Sequence, residues 1–83
     1  MKKIPRNLSG RDLIKKLKKL GDQQTRQVGS HIRLTTEEKG VHHITIPDYD
    51  PIKLGTLSNI LKDIALHFKI SKEELIGRLF GRS

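Results

Sequence analysis

The chain has 83 residues, no cysteine and a formal net charge of +8. This length fits one domain over residues 1–83, and the lack of cysteine excludes disulfides, thiolate metal sites and a cysteine nucleophile. No apolar run approaches the roughly 20 residues that span a membrane, and the basic start lacks the apolar segment of a signal peptide. We therefore expect a soluble, cytoplasmic protein without a membrane partner.

The positive charge is concentrated in the first two-fifths of the chain. Residues 1–33 hold ten Lys or Arg against two acids, whereas residues 34–83 hold seven of each. A one-sided basic field favours a polyanion or an acidic protein as partner, and nucleic acid is the commonest polyanion. The alternative is a lysine face that only improves solubility.

The first predicted element is a helix over residues 9–20. Ser9 and Asp12 have the spacing of an N-terminal capping box, and Gly21 is a natural left-handed terminator. The apolar residues of this segment form one stripe at helical spacing, namely Leu13, Ile14, Leu17 and Leu20. The opposite side is basic and contains Arg11, Lys15, Lys18 and Lys19.

Three strands are predicted next, over residues 23–28, 31–35 and 41–46. The first is polar, which is typical of an edge strand, and Gly29-Ser30 forms a turn before the second. Ile32 and Leu34 alternate with polar residues, as in a sheet with one buried face. If Ile44 and Ile46 share that buried face, the outer face carries His31, Arg33, His43 and Thr45.

Two further helices are predicted over residues 56–68 and 71–80. Ser71 and Glu74 make a second capping box, and Gly81 is a second terminator. Leu66 points away from the apolar stripe of its helix and is free for a further partner. The order helix, three antiparallel strands, helix and short helix predicts an α+β fold with helices on one sheet face and a core within residues 8–80.

His31 is the residue most suited to chemistry, because histidine exchanges protons near neutral pH. RNA is cut without a metal when a base activates the 2′-hydroxyl and cations stabilise the phosphorane. His31 is a candidate for that proton transfer, with Ser30 and the Gly29 amide as phosphate donors. Cationic contacts are expected from Lys15, Lys18, Lys19 and Arg33.

No second proton-transfer group is obvious, although His43 and Tyr49 are possible helpers. The alternative for His31 is a polar residue at a strand start that contacts only water. A metal site is not expected, since the four histidines lack close ligand spacing and His42 and His43 point to opposite sheet faces. His67 is predicted to be a surface residue near a helix end. No cofactor is expected, because nucleotide-binding glycine loops are absent.

Several short motifs follow one another in an order that resembles the HicA family of small toxins, also labelled YcfA-like. They span roughly residues 8–75 and are Ser9-Gly10, Leu13-Ile14-Lys15, Leu20-Gly21, Gly29-Ser30-His31, Ile46-Pro47 and Gly55-Thr56-Leu57. Where many members have Pro-Arg-His or Pro-Asn-His after the third strand, this chain has Pro47-Asp48-Tyr49.

The resemblance implies a fold like that of double-stranded-RNA-binding domains. It also implies an mRNA interferase, a metal-independent endoribonuclease toxin paired with a HicB-type antitoxin, with His31 as the catalytic histidine. Two alternatives stay open. A non-catalytic RNA-binding module would read A-form shape and phosphates, and a pure interaction module would dock an acidic protein on its basic face.

Overall fold

The computed structural model describes residues 4–81 and shows an α+β fold. A helix is followed by a three-stranded antiparallel sheet and two more helices, which confirms the predicted fold class and its likeness to double-stranded-RNA-binding domains. The elements are α1 (Gly10–Lys18), β1 (Gln23–Val28), β2 (His31–Thr36), β3 (His42–Pro47), α2 (Leu54–Phe68) and α3 (Lys72–Phe80). No helix in this range is long and apolar enough to cross a membrane.

The helix ends follow the predicted capping in most cases. The Ser9 hydroxyl accepts a hydrogen bond from the Asp12 amide at 3.0 Å, and Ser71 caps α3 in the same way. Gly21 has a left-handed φ of 99° after α1. The prediction for Gly81 is wrong in one respect: it does end α3, but its backbone is extended. At the end of α2 the left-handed cap is Lys69, which is not a glycine.

The sheet has the order β1-β2-β3, and its register gives it one buried face. Ile32 lies opposite Ile46, and Leu34 lies opposite Ile44. These four side chains are buried, whereas the residues that alternate with them on β2 and β3 are largely exposed. The predicted division into a core face and an outer face is therefore confirmed. All six residues of β1 are exposed, as expected of a polar edge strand.

The core joins the inner face of the sheet to the three helices. Leu13 and Leu17 of α1, Leu61 of α2 and Leu75 of α3 are fully buried in it, together with the inner residues of β2 and β3. Burial of such large apolar side chains is the main stabilising contribution to folding. Leu66 stays outside this cluster and is 69% exposed, as predicted.

The start of α1 is fastened to the end of β3. The Gly10 amide donates to the carbonyl oxygen of Tyr49 at 2.9 Å, and a Cβ on Gly10 would overlap the carbonyl oxygen of Pro47. The Asp48 amide donates to the carbonyl of Ser30 at 2.7 Å. This end of the sheet therefore brings together the first turn of α1, the end of β3 and the turn that precedes β2.

Candidate active site

A two-residue turn places His31 at the first position of β2. Val28 pairs with His31 across the β1–β2 hairpin, so Gly29 and Ser30 alone form the connection. Gly29 adopts a φ of 57°, which glycine tolerates at little cost. The Gln27 side chain donates to the Gly29 carbonyl at 3.1 Å and holds the turn. The His31 side chain is exposed on the outer face of the sheet.

His31 lines a shallow depression of about 150 Å³ together with Arg26, Val28, Arg33 and Thr45. The register sets Arg26 directly opposite Arg33, and within residues 4–81 neither guanidinium forms a salt bridge. Like charges directly opposite each other destabilise an antiparallel pair. A bound anion would remove that repulsion, so the depression sets an imidazole beside two cations that could hold an anion.

Arg26 and Thr45 also line the depression; the sequence pattern placed Thr45 on this face without giving it a role, and it did not indicate Arg26. The signal for Arg26 was present, since a two-residue turn at Gly29-Ser30 forces Val28 opposite His31 and Arg26 opposite Arg33. The polar composition of β1 concealed it, because no apolar alternation showed which residues share a face.

The predicted RNA-binding residues fall into two groups. Arg33 lines the His31 depression, and Gly29 and Ser30 form the adjoining turn. The second group lies on α1, which packs through Leu13, Ile14 and Leu17 in the core beneath the opposite face of the sheet. Lys15 and Lys19 line a separate depression there, and Lys18 is exposed nearby on the same helix. The structure therefore does not bring these three lysines together with His31.

Neither His43 nor Tyr49 lies where it could act as a second proton-transfer group beside His31. His43 pairs with Thr35, which lies four residues after His31 on β2, or about 13 Å along the strand. That separation is too large for both histidines to act on one phosphodiester. Tyr49 is 49% exposed and follows β3, but it does not line the His31 depression.

Asp48 forms an ion pair beside this site. The Arg11 guanidinium donates to both oxygens of the Asp48 carboxylate, at 3.2 and 2.9 Å, and the carboxylate raises the pKa of Arg11 further above its ordinary value. Because the Asp48 amide also binds Ser30, this pair links α1 to the turn before His31.

A second cluster of titratable groups lies at the other end of the sheet. His67 is half-buried rather than the surface residue that was predicted: its Nε2 donates to the Glu38 carbonyl at 2.9 Å, and its ring stacks on His42 with centroids 4.5 Å apart. Asp22 is only 3% exposed, and its Oδ1 has no hydrogen-bond partner. Burial raises the pKa of Asp22, an effect that the nearby His42 and His67 oppose.

Within residues 4–81 no three acidic, histidine or cysteine side chains are grouped to hold a metal ion. The polar groups that line the His31 depression are one imidazole, two guanidiniums and a threonine hydroxyl. That set suits proton transfer and the binding of a negatively charged phosphate.

The fold and the site define a small basic α+β protein with a histidine and two arginines on one open sheet face. A family model described as the HicA toxin of bacterial toxin–antitoxin systems matches residues 10–66, which is more than half of the chain. The chain therefore belongs to the HicA toxin family, and the resemblance seen in its motifs is confirmed. A search of curated proteins and a search of solved structures returned no match.

The matched segment runs from the first residue of α1 into α2 and contains the whole sheet with the His31 depression. Family membership makes the chain the toxin of a toxin–antitoxin system, so it implies an antitoxin partner in general. HicA toxins are generally ribonucleases.

Proposed function

We propose that this protein is an mRNA interferase, a metal-independent endoribonuclease in which His31 is the single catalytic histidine. The observation that carries the proposal is the shared depression of His31, Arg26 and Arg33. Two arginines that face each other across a hairpin and form no salt bridge among residues 4–81 reduce stability, and an RNA phosphate bound beside the imidazole would neutralise them. Family membership supports the same activity.

The reaction uses a nucleophile that RNA already carries. The His31 imidazole removes the proton of a 2′-hydroxyl, and the resulting oxygen attacks the adjacent phosphorus. A cyclic 2′,3′-phosphate forms as the bond from phosphorus to the 5′-oxygen breaks, and the leaving oxygen takes a proton from water or from protonated His31. Arg26 and Arg33 stabilise the extra charge of the pentacoordinate phosphate.

The turn before His31 contributes neutral donors. We assign the Ser30 hydroxyl and the Gly29 amide to phosphate oxygens of the bound RNA, since backbone amides in such turns form anion-binding concavities. These contacts position the backbone and carry no base specificity.

The exposed lysines of α1 have a different task. Because Lys15, Lys18 and Lys19 lie apart from His31, we assign them to RNA segments away from the cleaved bond. They attract the polyanion over a distance, and this part of the affinity decreases with salt through counterion release.

We further propose that a HicB-type antitoxin inhibits the toxin in the cytoplasm, where its mRNA substrate is found. A depression as shallow as that of His31 is easily covered by another protein. An acidic antitoxin surface would also neutralise Arg26 and Arg33, which gives complementarity as well as blockage.

The test compares the wild type with His31→Ala. Both proteins are expressed in cells and incubated with RNA in vitro in the presence of a chelator. We expect growth arrest and chelator-resistant cleavage only for the wild type, because the variant lacks the group that transfers the proton. The variant should still fold, because the exposed His31 contributes little to the core. Circular dichroism checks that both are folded. Equal growth arrest, or intact RNA with both proteins, would contradict the catalytic role.

A non-catalytic RNA-binding module is the second candidate, favoured by the basic surface of α1 that lies apart from His31. It predicts salt-sensitive RNA binding that survives His31→Ala, with no cleavage by either protein. A pure protein-interaction module predicts no RNA affinity at physiological salt, so a binding titration separates it from both.

A further inference from the structure

A second polar depression lies on the sheet at the end opposite His31. It has a volume of about 320 Å³ and is lined by Gly21, Gln23, Thr25, Thr35, Glu37 and Glu38. This volume is at the lower end of the range of about 300–1,000 Å³ that is usual for small-ligand sites. We call it the far depression.

The far depression and the His31 site share one surface. Thr35 follows His31 by four residues on β2, so both project from the outer face and lie about 13 Å apart along the strand. Gln23 pairs with Thr35 on the edge strand, just as Val28 pairs with His31. A single extended chain lying along β1 and β2 therefore reaches both sites.

The sheet is shaped locally to present hydroxyl groups at the far depression. The register of β1 shifts between Gln24 and Arg26, and such a bulge re-aims the side chain of the extra residue, here Thr25. Thr25 Oγ1 lies 2.9 Å from Thr35 Oγ1, which lies 2.8 Å from His43 Nδ1. The result is a hydrogen-bonded row across all three strands.

The charges at the two sites are opposite. The His31 depression has two arginines and no acid. The far depression has two glutamates and no cation among its lining residues, and neither Glu37 nor Glu38 forms a salt bridge within residues 4–81. Carboxylates repel a phosphate, but they accept hydrogen bonds from the amino groups of nucleobases. The first site thus suits the RNA backbone and the second suits a base.

We propose that the far depression is a base-recognition subsite for single-stranded RNA bound along the outer face of the sheet. It selects a base with an exocyclic amino group, which uracil lacks, at a fixed position a few nucleotides from the cleaved bond. The location of that bond at His31 rests on the proposed function. Glu37 and Glu38 accept from the amino group, while Thr35, which is hydrogen-bonded to His43, contacts the remainder of the nucleotide.

The test measures cleavage of short single-stranded RNAs that differ at one position at a time. The wild type should cleave RNAs with an amino-bearing base at one fixed position about tenfold faster than those with uracil, as expected for one good base contact. Glu37→Gln and Glu38→Gln should lose most of this preference, because they remove the charge that strengthens the hydrogen bond. Glu73→Gln, an equal charge change at an exposed position of α3, should keep it.

A second measurement does not depend on cleavage. His31→Ala protein is titrated with a short RNA, and amide and imidazole resonances are followed by NMR. Perturbation of Thr35 and His43, weakened by Glu38→Gln, supports the subsite even if the wild type proves inactive. The subsite would be overturned if RNA perturbed only resonances of α1, or if the antitoxin but not RNA perturbed Thr35. An unchanged base preference in both glutamate variants would also overturn it.

Discussion

Substitution of Arg26 by glutamine should make the protein more stable and less active. Arg26 lies opposite Arg33 in the β1–β2 ladder, where paired Cα atoms are about 4.5–5.5 Å apart. Cross-strand charge pairs contribute about 0.2–1 kcal/mol, so removing one guanidinium should raise the free energy of unfolding by about that amount. For a domain of this size, 1 kcal/mol corresponds to about 4–8 °C in Tm.

The loss of activity should be much larger than the gain in stability. Removing one donor that stabilises a transition-state oxyanion typically costs about 10²–10³-fold in kcat. We therefore expect Arg26→Gln to lower RNA cleavage at least 10²-fold. Thermal unfolding and cleavage kinetics on the same preparations give both numbers.

Salt and a control variant test the reasoning. The Debye length falls from about 10 Å at 0.1 M salt to about 3 Å at 1 M, so the stability gain should shrink as salt rises. Arg78→Gln changes the net charge equally but removes an ion pair with Glu74, and it should not stabilise the protein. A destabilised Arg26→Gln, or a gain insensitive to salt, would refute the view that the two arginines repel each other until an anion binds.

Two further substitutions test the structure outside the His31 depression. The pKa of the buried Asp22 is raised above the ordinary value of 3.8, so this carboxyl group binds a proton more tightly in the folded state than in the unfolded state. Stability from this group is therefore present at low pH and lost as pH rises through the higher folded pKa; Asp22→Asn should remove that dependence and stabilise the protein at neutral pH in urea titrations. Gly10→Ala should cost about 1–3 kcal/mol, because its Cβ overlaps the Pro47 carbonyl, and equal Tm values would contradict that contact.

The order of elements and the buried face of the sheet could be predicted because local signals agreed with the tertiary structure. Apolar periodicity indicates the helices and the inner strands, the two capping boxes mark the starts of α1 and α3, and the glycine turn marks the connection of β1 to β2. Gly81 shows where such signals fail: a glycine after a helix permits a left-handed cap without requiring it, and its backbone is extended here. At Lys69 the chain adopts the left-handed conformation without a glycine, so contacts elsewhere outweigh the local preference.

The site was predicted only in part, because its members come from different elements. His31 and Arg33 alternate on one strand, so their shared face follows from spacing alone. Packing decides which face of the sheet α1 covers. The net charge of the chain therefore does not reveal whether the lysines of α1 lie on the same face as His31. The bulge at Thr25 is likewise invisible in the sequence, since it depends on how β1 pairs with β2.

The residues after β3 lead to a last prediction, about the pH dependence of cleavage. The motif that this chain resembles leads one to expect a histidine there, but the chain has Asp48-Tyr49, with Asp48 bound to Arg11. None of the four other residues that line the depression has a side chain suited to supply this proton; they are Arg26, Val28, Arg33 and Thr45. Water or His31 itself must then protonate the leaving oxygen, so kcat/KM should rise with pH through one ionisation and level off. A bell-shaped profile would reveal a second essential group that acts as the acid, and loss of the fall at high pH in Tyr49→Phe would identify that group as Tyr49.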